Sequence, residues 1–271
     1  MRRVRTPLVF LLVLVTASTP ALAGGNEPPH RPRFEAWGGV FFTGTDTRFQ
    51  VDSETLGDGT PIDGEEDLGL PRDGQALRVG AAVRFGARRR HVVEASYFTL
   101  DREADTTVTS QIRFGEETVT AETPVSSRFA ADIARFHYTF MVLSGARHEA
   151  GITVGLQASD VDVALTAPDL GIDEAAGAPV PLPTIGLRSQ VHVTPRIKLR
   201  SATDVFTYSG DQVSGLVWDT MVGIDLDVTR NTGVGLGYNF VRVDADVDLP
   251  DFSGFLDLTY GGVLATFRVM M

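Results

Sequence analysis

The chain has 271 residues, with 24 Lys plus Arg against 35 Asp plus Glu, a formal net charge of −11 and no cysteine. That balance argues against nucleic acid as a partner, since phosphate binding needs clustered Lys and Arg, and the missing cysteines exclude disulfides and thiolate metal sites. A mean hydropathy of +0.03 is too low for a helical membrane protein, and past the first 25 residues no run reaches the roughly 20 apolar residues of a membrane helix.

The N-terminus reads MRRVRTPLVFLLVLVTASTPALAGG. Arg2, Arg3 and Arg5 precede an apolar run from Leu8 to Val15, and Ala21 and Ala23 stand at the −3 and −1 positions of a cleavage site. This is the three-part pattern of a secretory signal peptide, with a central run too short to span a bilayer. Residues 1–23 are expected to be removed on export, leaving 24–32 as a periplasmic segment and 33–271 as the folded domain. Without the leader the charge is about −14, which suits a solvated surface outside the cytoplasm.

From residue 33 onward the pattern is period two. Ten alternating segments are expected, at 33–52, 75–86, 92–110, 125–142, 150–166, 184–194, 197–209, 213–228, 232–248 and 253–270. In 75–86, Leu77, Val79, Ala81, Val83 and Phe85 oppose Arg78, Gly80, Ala82 and Arg84. In 125–142, Phe136, Tyr138, Phe140 and Val142 oppose Arg135, His137, Thr139 and Met141. In 213–228, Trp218, Val222, Ile224, Leu226 and Val228 oppose Asp219, Met221, Gly223, Asp225 and Asp227. Successive strand side chains point to opposite faces, so each segment carries one apolar face and one small or charged face. No helical periodicity separates them, which excludes a parallel βαβ sheet.

The stretch NTGVGLGYNF, 231–240, tests a nucleotide reading. A dinucleotide fingerprint needs G-x-G-x-x-G between strand and helix. Here Gly233, Gly235 and Gly237 alternate with Val234, Leu236, Tyr238 and Phe240. The glycines read as inward spacers that leave room for long groups on neighbouring strands, with Arg268 and Asp225 as candidates. Past Phe240 the apolar parity passes to Val241, Val243, Ala245 and Val247, as it does in SDVDVAL of the fifth segment. Either a bulge intervenes or the strand has left the membrane; the second is expected.

Long alternating strands, an export signal and turns alternating between short and long describe an antiparallel up-and-down transmembrane β-barrel. Ten strands are expected, with eight or twelve as the alternatives. The first long connection carries Asp52, Glu54, Asp58, Asp63, Glu65, Glu66, Asp67 and Asp73 against Arg72. It lacks the calcium-loop spacing and reads as a solvated loop.

The inward face is the candidate functional site: Arg78, Arg84, Glu94, Arg135, His137, Arg188, His192, Lys198, Arg200, Asp219, Asp225, Asp227 and Arg268. A turn near Gly210–Asp211 would set Arg196 opposite Asp225. Both signs occur on adjacent strands, so the network reads as lumen filling more than as a conducting pore, ten strands giving a narrow interior. An enzymatic barrel would place a His with Asp, Glu or Ser at the external rim. His30 precedes the first strand, His91 and His148 fall in periplasmic turns, and His137 and His192 lie toward the periplasmic end. The Asp-x-His motif of the omptin proteases is absent.

The C-terminal YGGVLATFRVMM resembles the last strand of bacterial outer-membrane barrels, the part read by the assembly machinery. Tyr260, Gly262, Phe267, Val269 and Met271 carry that resemblance, and the chain departs from it in ending on Met271 in place of an aromatic. The folded domain is similar to the broad family of small outer-membrane β-barrel proteins with no assigned activity. This resemblance implies residence in the outer membrane, contact with its lipids and lipopolysaccharide, and assembly by periplasmic chaperones and the barrel machinery. It implies no cofactor, metal or catalytic residue, and a role in membrane integrity, surface interaction or limited solute passage. Two alternatives stay open: an outer-membrane enzyme acting on lipid A or peptide, and a soluble secreted barrel that carries an apolar ligand. Oligomeric state is not legible.

Overall fold

The computed structural model describes residues 31–53, 57–86, 88–210, 212–249 and 252–271. The leader expected at 1–23 and its cleavage point lie outside the described residues. The strands are β1 (Phe34–Val51), β2 (Ile62–Asp63), β3 (Asp73–Phe85), β4 (His91–Thr107), β5 (Ile112–Phe114), β6 (Glu117–Val119), β7 (Pro124–Ser144), β8 (His148–Ala167), β9 (Ile172–His192), β10 (Ile197–Ser209), β11 (Val213–Asp227), β12 (Thr232–Leu249) and β13 (Phe252–Met270). The ten long ones pair antiparallel in chain order, and β13 pairs back on β1 from Glu35↔Met270 to Val51↔Gly254. The wall is therefore a closed ring of ten, and no edge is left for hydrocarbon to strand.

The parity read from the sequence decides which side chains meet lipid. Val222, Ile224 and Leu226 on β11, and Val234, Leu236, Tyr238 and Phe240 on β12, face out and are exposed, while Asp219, Asp225 and Asp227 are buried inside. The β11–β12 ladder runs from Val213↔Val247 to Asp227↔Gly233 with no shift, so no bulge intervenes after Phe240. Parity is kept and polarity reverses. Val241 is fully buried in the lumen, whereas Arg242 and Asp246 face out. The same reversal occurs on β4, where Phe98 and Leu100 are buried and Asp101 and Glu103 exposed, and on β8, where Val163 and Leu165 are buried and Asp160 and Asp162 exposed.

The expectation that the inward face is small or charged thus holds only for the half at the short turns, the expected periplasmic half. Above the apolar belt the outside of the wall meets water, so the apolar side chains turn inward and form a core of Phe41, Phe49, Phe98, Leu100, Phe129, Ile133, Leu165 and Leu258.

Four further expectations are corrected. The acidic first loop is not simply solvated. Ile62, Leu68 and Leu70 are buried and Glu65 is nearly so, because β2 takes over pairing with β1 where β3 ends, Asp73↔Gly44 giving way to Asp63↔Arg48. Lys198, and not Arg196, stands opposite Asp225, since β10 pairs β11 out to Ser209↔Ser214 and the turn sits further along the chain than expected. The stretch APDLGIDEAAGAPVPLP is mostly strand: after a short turn at Pro168–Leu170, β9 starts at Ile172 and continues the hairpin with β8 from Ala167↔Ile172. His91 and His148 likewise open β4 and β8 and do not sit in turns.

That hairpin outgrows its neighbour. β9 pairs β10 only up to Ile185↔Val205, so residues 172–184 have a free edge beyond the wall. His192 N–H donates toward β8, to Arg147 O, and Val193 N–H donates toward β10, to Ile197 O. The β8–β9 register is unbroken, so odd-numbered residues of β9 direct their amide position at the free edge. Pro179, Pro181 and Pro183 occupy three such positions and remove the donors there, a standard protection of an exposed edge. Replacing all three by Thr restores the donors, and analytical ultracentrifugation in detergent should then show stronger self-association than the parent. Unchanged sedimentation would remove this role from the prolines.

Candidate functional site: a filled lumen

The lumen is built in tiers, and each tier follows from strand periodicity and register. At the periplasmic end Glu149, on β8, lies between Arg84 Nη2 at 3.3 Å and Arg31 Nε at 3.4 Å. Arg31 also donates to Ser144 Oγ at 3.3 Å and to Gly145 O, so the segment before β1 reaches the β7–β8 turn. Next to this, Arg268 is fully buried, with Nη1 3.4 Å from both Glu35 and Asp225 and Nη2 3.0 Å from Asp227. Lys198 Nζ stands 3.8 Å from Asp227 and Arg200 Nε 3.3 Å from Asp225. Gln190 Nε2 and His192 Nε2 are 2.8 Å apart.

One tier higher, Arg188 forks onto Asp204 at 2.8 and 2.7 Å, and His137 Nε2 lies 3.6 Å from the same carboxylate. Arg135 pairs with Asp219 and donates to Tyr260 Oη at 3.2 Å. Arg78 donates to Asn239 Oδ1 at 2.8 Å, and Asn239 Nδ2 donates to Asp219 Oδ1 at 2.6 Å. Taking these charges out of water costs several kcal/mol each, which close opposite charges and hydrogen bonds must offset. The cations Arg31, Arg78, Arg84, Arg135, Arg188, Lys198, Arg200 and Arg268 face the anions Glu35, Glu94, Glu149, Asp204, Asp219, Asp225 and Asp227, eight against seven. A cavity of about 150 Å³ runs among these groups, with Pro32 at one end and Trp37, Arg78 and Leu264 among its lining.

Aromatic side chains close the cavity toward the outside. Phe41, Phe98 and Tyr260 meet edge to face at 6.1–6.3 Å between centroids. The guanidinium groups of Arg78 and Arg135 lie over Phe98 at 5.0 and 5.3 Å, a favourable cation–π geometry. Above the aliphatic tier sits a last polar knot: Arg102 Nη1 donates to Glu65 Oε1 at 2.5 Å and Nη2 to Thr47 Oγ1 at 2.5 Å, while Thr47 N–H donates to Glu65 Oε2 at 2.8 Å. Glu65 thereby latches the first long loop into the barrel. The β5–β6 hairpin of the second long loop adds Ile112, Phe114 and Val119 to the same cap.

All thirteen residues named from the sequence for this network stand on lumen-facing positions. The register brings Arg268 to Asp225 and Asp227, Lys198 to Asp227, and Arg135 to Asp219. Glu94 lines the cavity without an ion pair among the described residues. Glu35, Asp204, Glu149, Arg102 and Glu65 belong to the network and were missed. Glu35, Glu149, Arg102 and Asp204 share the parity of inward neighbours, so strand phase could have found the first four. Glu65 sits in a loop, where periodicity carries no signal.

The glycines of β12 make room for the lower tier. A Cβ on Gly233 would come within 2.8 Å of Arg268 Nη2, and one on Gly235 would overlap Asp225 Oδ1 and lie 2.6 Å from Thr266 Oγ1. His137 and His192 lie in the periplasmic half, with His91 and His148 at the periplasmic ends of their strands, and the described residues hold no group of three potential metal ligands.

No family model matches the chain, and no curated protein matches it. Among solved structures it is similar to the outer membrane protease OmpT from Escherichia coli, at 12% identity with a TM-score of 0.57, over 91% of this chain and 99% of that one. Weaker likenesses are to Neisserial surface protein A, at 12% identity and a TM-score of 0.35 over 88% of this chain and 97% of that one, and to Ail of Yersinia pestis, at 10% identity and 0.36 over 87% and 99%. The OmpT likeness carries the fold and nothing of the chemistry. The fold is that of the outer-membrane β-barrels.

Gly235→Val tests the packing of the lower tier. It should cost at least about 1–3 kcal/mol by overpacking, because the added methyls meet a buried carboxylate that cannot withdraw without leaving its guanidinium partners. Urea unfolding of the barrel in lipid vesicles reads the loss, and an unchanged midpoint would contradict the packing.

Proposed function

We propose that this protein is a non-catalytic integral barrel of the outer membrane that serves membrane integrity or surface interaction and does not provide an open channel. The single observation that carries the reading is the filled lumen. A narrow ten-strand interior is occupied by a network of opposed charges at the periplasmic end, an aromatic tier across the middle and a loop-fed apolar core at the outer end. A solute following the axis would have to displace both the Phe41–Phe98–Tyr260 tier and the loop held by Glu65. Localisation in the outer membrane is supported by the outward apolar belt and by the export signal read at residues 1–23. An enzymatic reading draws no support from the described histidines, which lie in the periplasmic half, while the described outer rim carries carboxylates with no histidine beside them.

Reconstitution in planar bilayers tests this. The full-length mature protein should give no steps, or only small flickering ones. Deleting residues 57–70 should raise conductance only modestly, because the aromatic tier stays in place. Steady openings as large as those of wide trimeric porins would overturn the filled-lumen reading. Peptide or lipid A turnover by the purified protein would overturn the non-catalytic one.

A further inference from the structure

The periplasmic rim of the wall is ringed by arginine. The turn at 86–90 carries Arg88, Arg89 and Arg90, the turn at 145–147 carries Arg147, that at 193–196 carries Arg196, and that at 228–231 carries Arg230. None of the four turns contains an Asp or Glu. The nearest acids, Glu35, Glu149 and Asp227, point into the lumen, where Arg268, Arg31, Arg84 and Lys198 engage them. Arg88, Arg147, Arg196 and Arg230 are exposed, and among the described residues none of the four has a carboxylate partner. In a chain of net charge −11 this is a local reversal of sign. The opposite end of the wall turns carboxylates outward, Asp101, Asp160, Asp162 and Asp246 among them.

Depth identifies the counter-charge. Directly on the membrane side of these turns, or at their first residue, stand the outward, exposed Phe85, Phe140, Val193, Val228 and Phe267. Guanidinium groups at that boundary lie where lipid phosphates lie, and arginine side chains extend toward such a boundary readily. A guanidinium also matches phosphate oxygens in a two-point hydrogen bond. The arginines are spread over all four turns, around the circumference, and not gathered on one sector as a protein-docking patch would be. We propose that this rim is a binding belt for the phosphate groups of anionic phospholipids in the inner leaflet. The proposal rests on the reading of the chain as a membrane barrel whose short turns face the periplasm.

The test is the association of spin-labelled lipids with the full mature protein in phosphatidylcholine bilayers. Spin-labelled phosphatidylglycerol should associate at least about threefold more strongly than spin-labelled phosphatidylcholine at low salt. The preference should collapse at about 1 M salt, where screening is nearly complete. It should also be lost in the variant carrying Arg88→Gln, Arg147→Gln, Arg196→Gln and Arg230→Gln, and should survive Arg128→Gln with Arg242→Gln at the other end. Heat-modifiable gel migration confirms that each variant is folded; if the fourfold variant is not, the single changes should each lower the preference in part. Equal association of the two lipids, or a preference that survives the fourfold change, would overturn the proposal. Loss of the preference on adding inorganic phosphate at matched ionic strength would assign the rim to free phosphate and also overturn it. Failure of the membrane-barrel reading looks different: the protein would not enter the bilayer and would show no heat-modifiable band.

Discussion

A β-strand has two faces and keeps them along its whole length, yet the surroundings of this wall change partway up. Around the lower half the outside is hydrocarbon, so apolar side chains must point out and charged ones in. Around the upper half the outside is water, and the same strands, without a bulge on β12, exchange the two roles. Much else follows from that exchange. The lower lumen becomes a set of ion pairs around a small cavity because charged side chains excluded from lipid are turned toward one another there. The upper lumen becomes an apolar core like that of a soluble protein.

The two halves need different means of filling. Below, the chain uses long charged groups and gives them space with glycine, as where Gly233 and Gly235 stand against Arg268 and Asp225. Above, the strands alone do not fill the interior, and the two long loops bring Ile62, Leu68, Leu70, Ile112 and Phe114 into it. Glu65 fixes the first of these loops by meeting Arg102, a cation that would otherwise be buried without a counter-charge. The aromatic tier of Phe41, Phe98 and Tyr260 joins the halves, with the guanidinium groups of Arg78 and Arg135 over the ring of Phe98.

The wall was legible in the sequence because period two is a local signal. The outward run Val222, Ile224, Leu226 and its inward counterpart Asp219, Asp225, Asp227 can be read from fifteen residues alone, and with them the lumen positions of the charged groups. What stayed hidden depends on long-range geometry. The pairing of Lys198 with Asp225, in place of Arg196, turns on a one-residue shift in where the strand reverses. The upper part of β9 reads as a loop because Gly and Pro are turn residues by composition, although the prolines stand on an edge where no donor is needed. The burial of Glu65 depends on a partner 37 residues away, and an acidic stretch with no periodicity does not announce which of its carboxylates goes inside.

The height at which the faces exchange roles can be measured along one strand. Nitroxide labels placed singly at the outward positions Val234, Leu236, Tyr238, Phe240, Arg242, Asp244 and Asp246 of β12 can be compared for collision with oxygen, which partitions into lipid, and with a water-soluble nickel chelate. The labels from 234 to 238 should favour oxygen, with a crossover near 240 and chelate access at 244 and 246, while a label at the inward Val243 should be reached poorly by both. Lipid exposure at 244, or ready chelate access at 236, would contradict the exchange of faces and the filled lumen built on it.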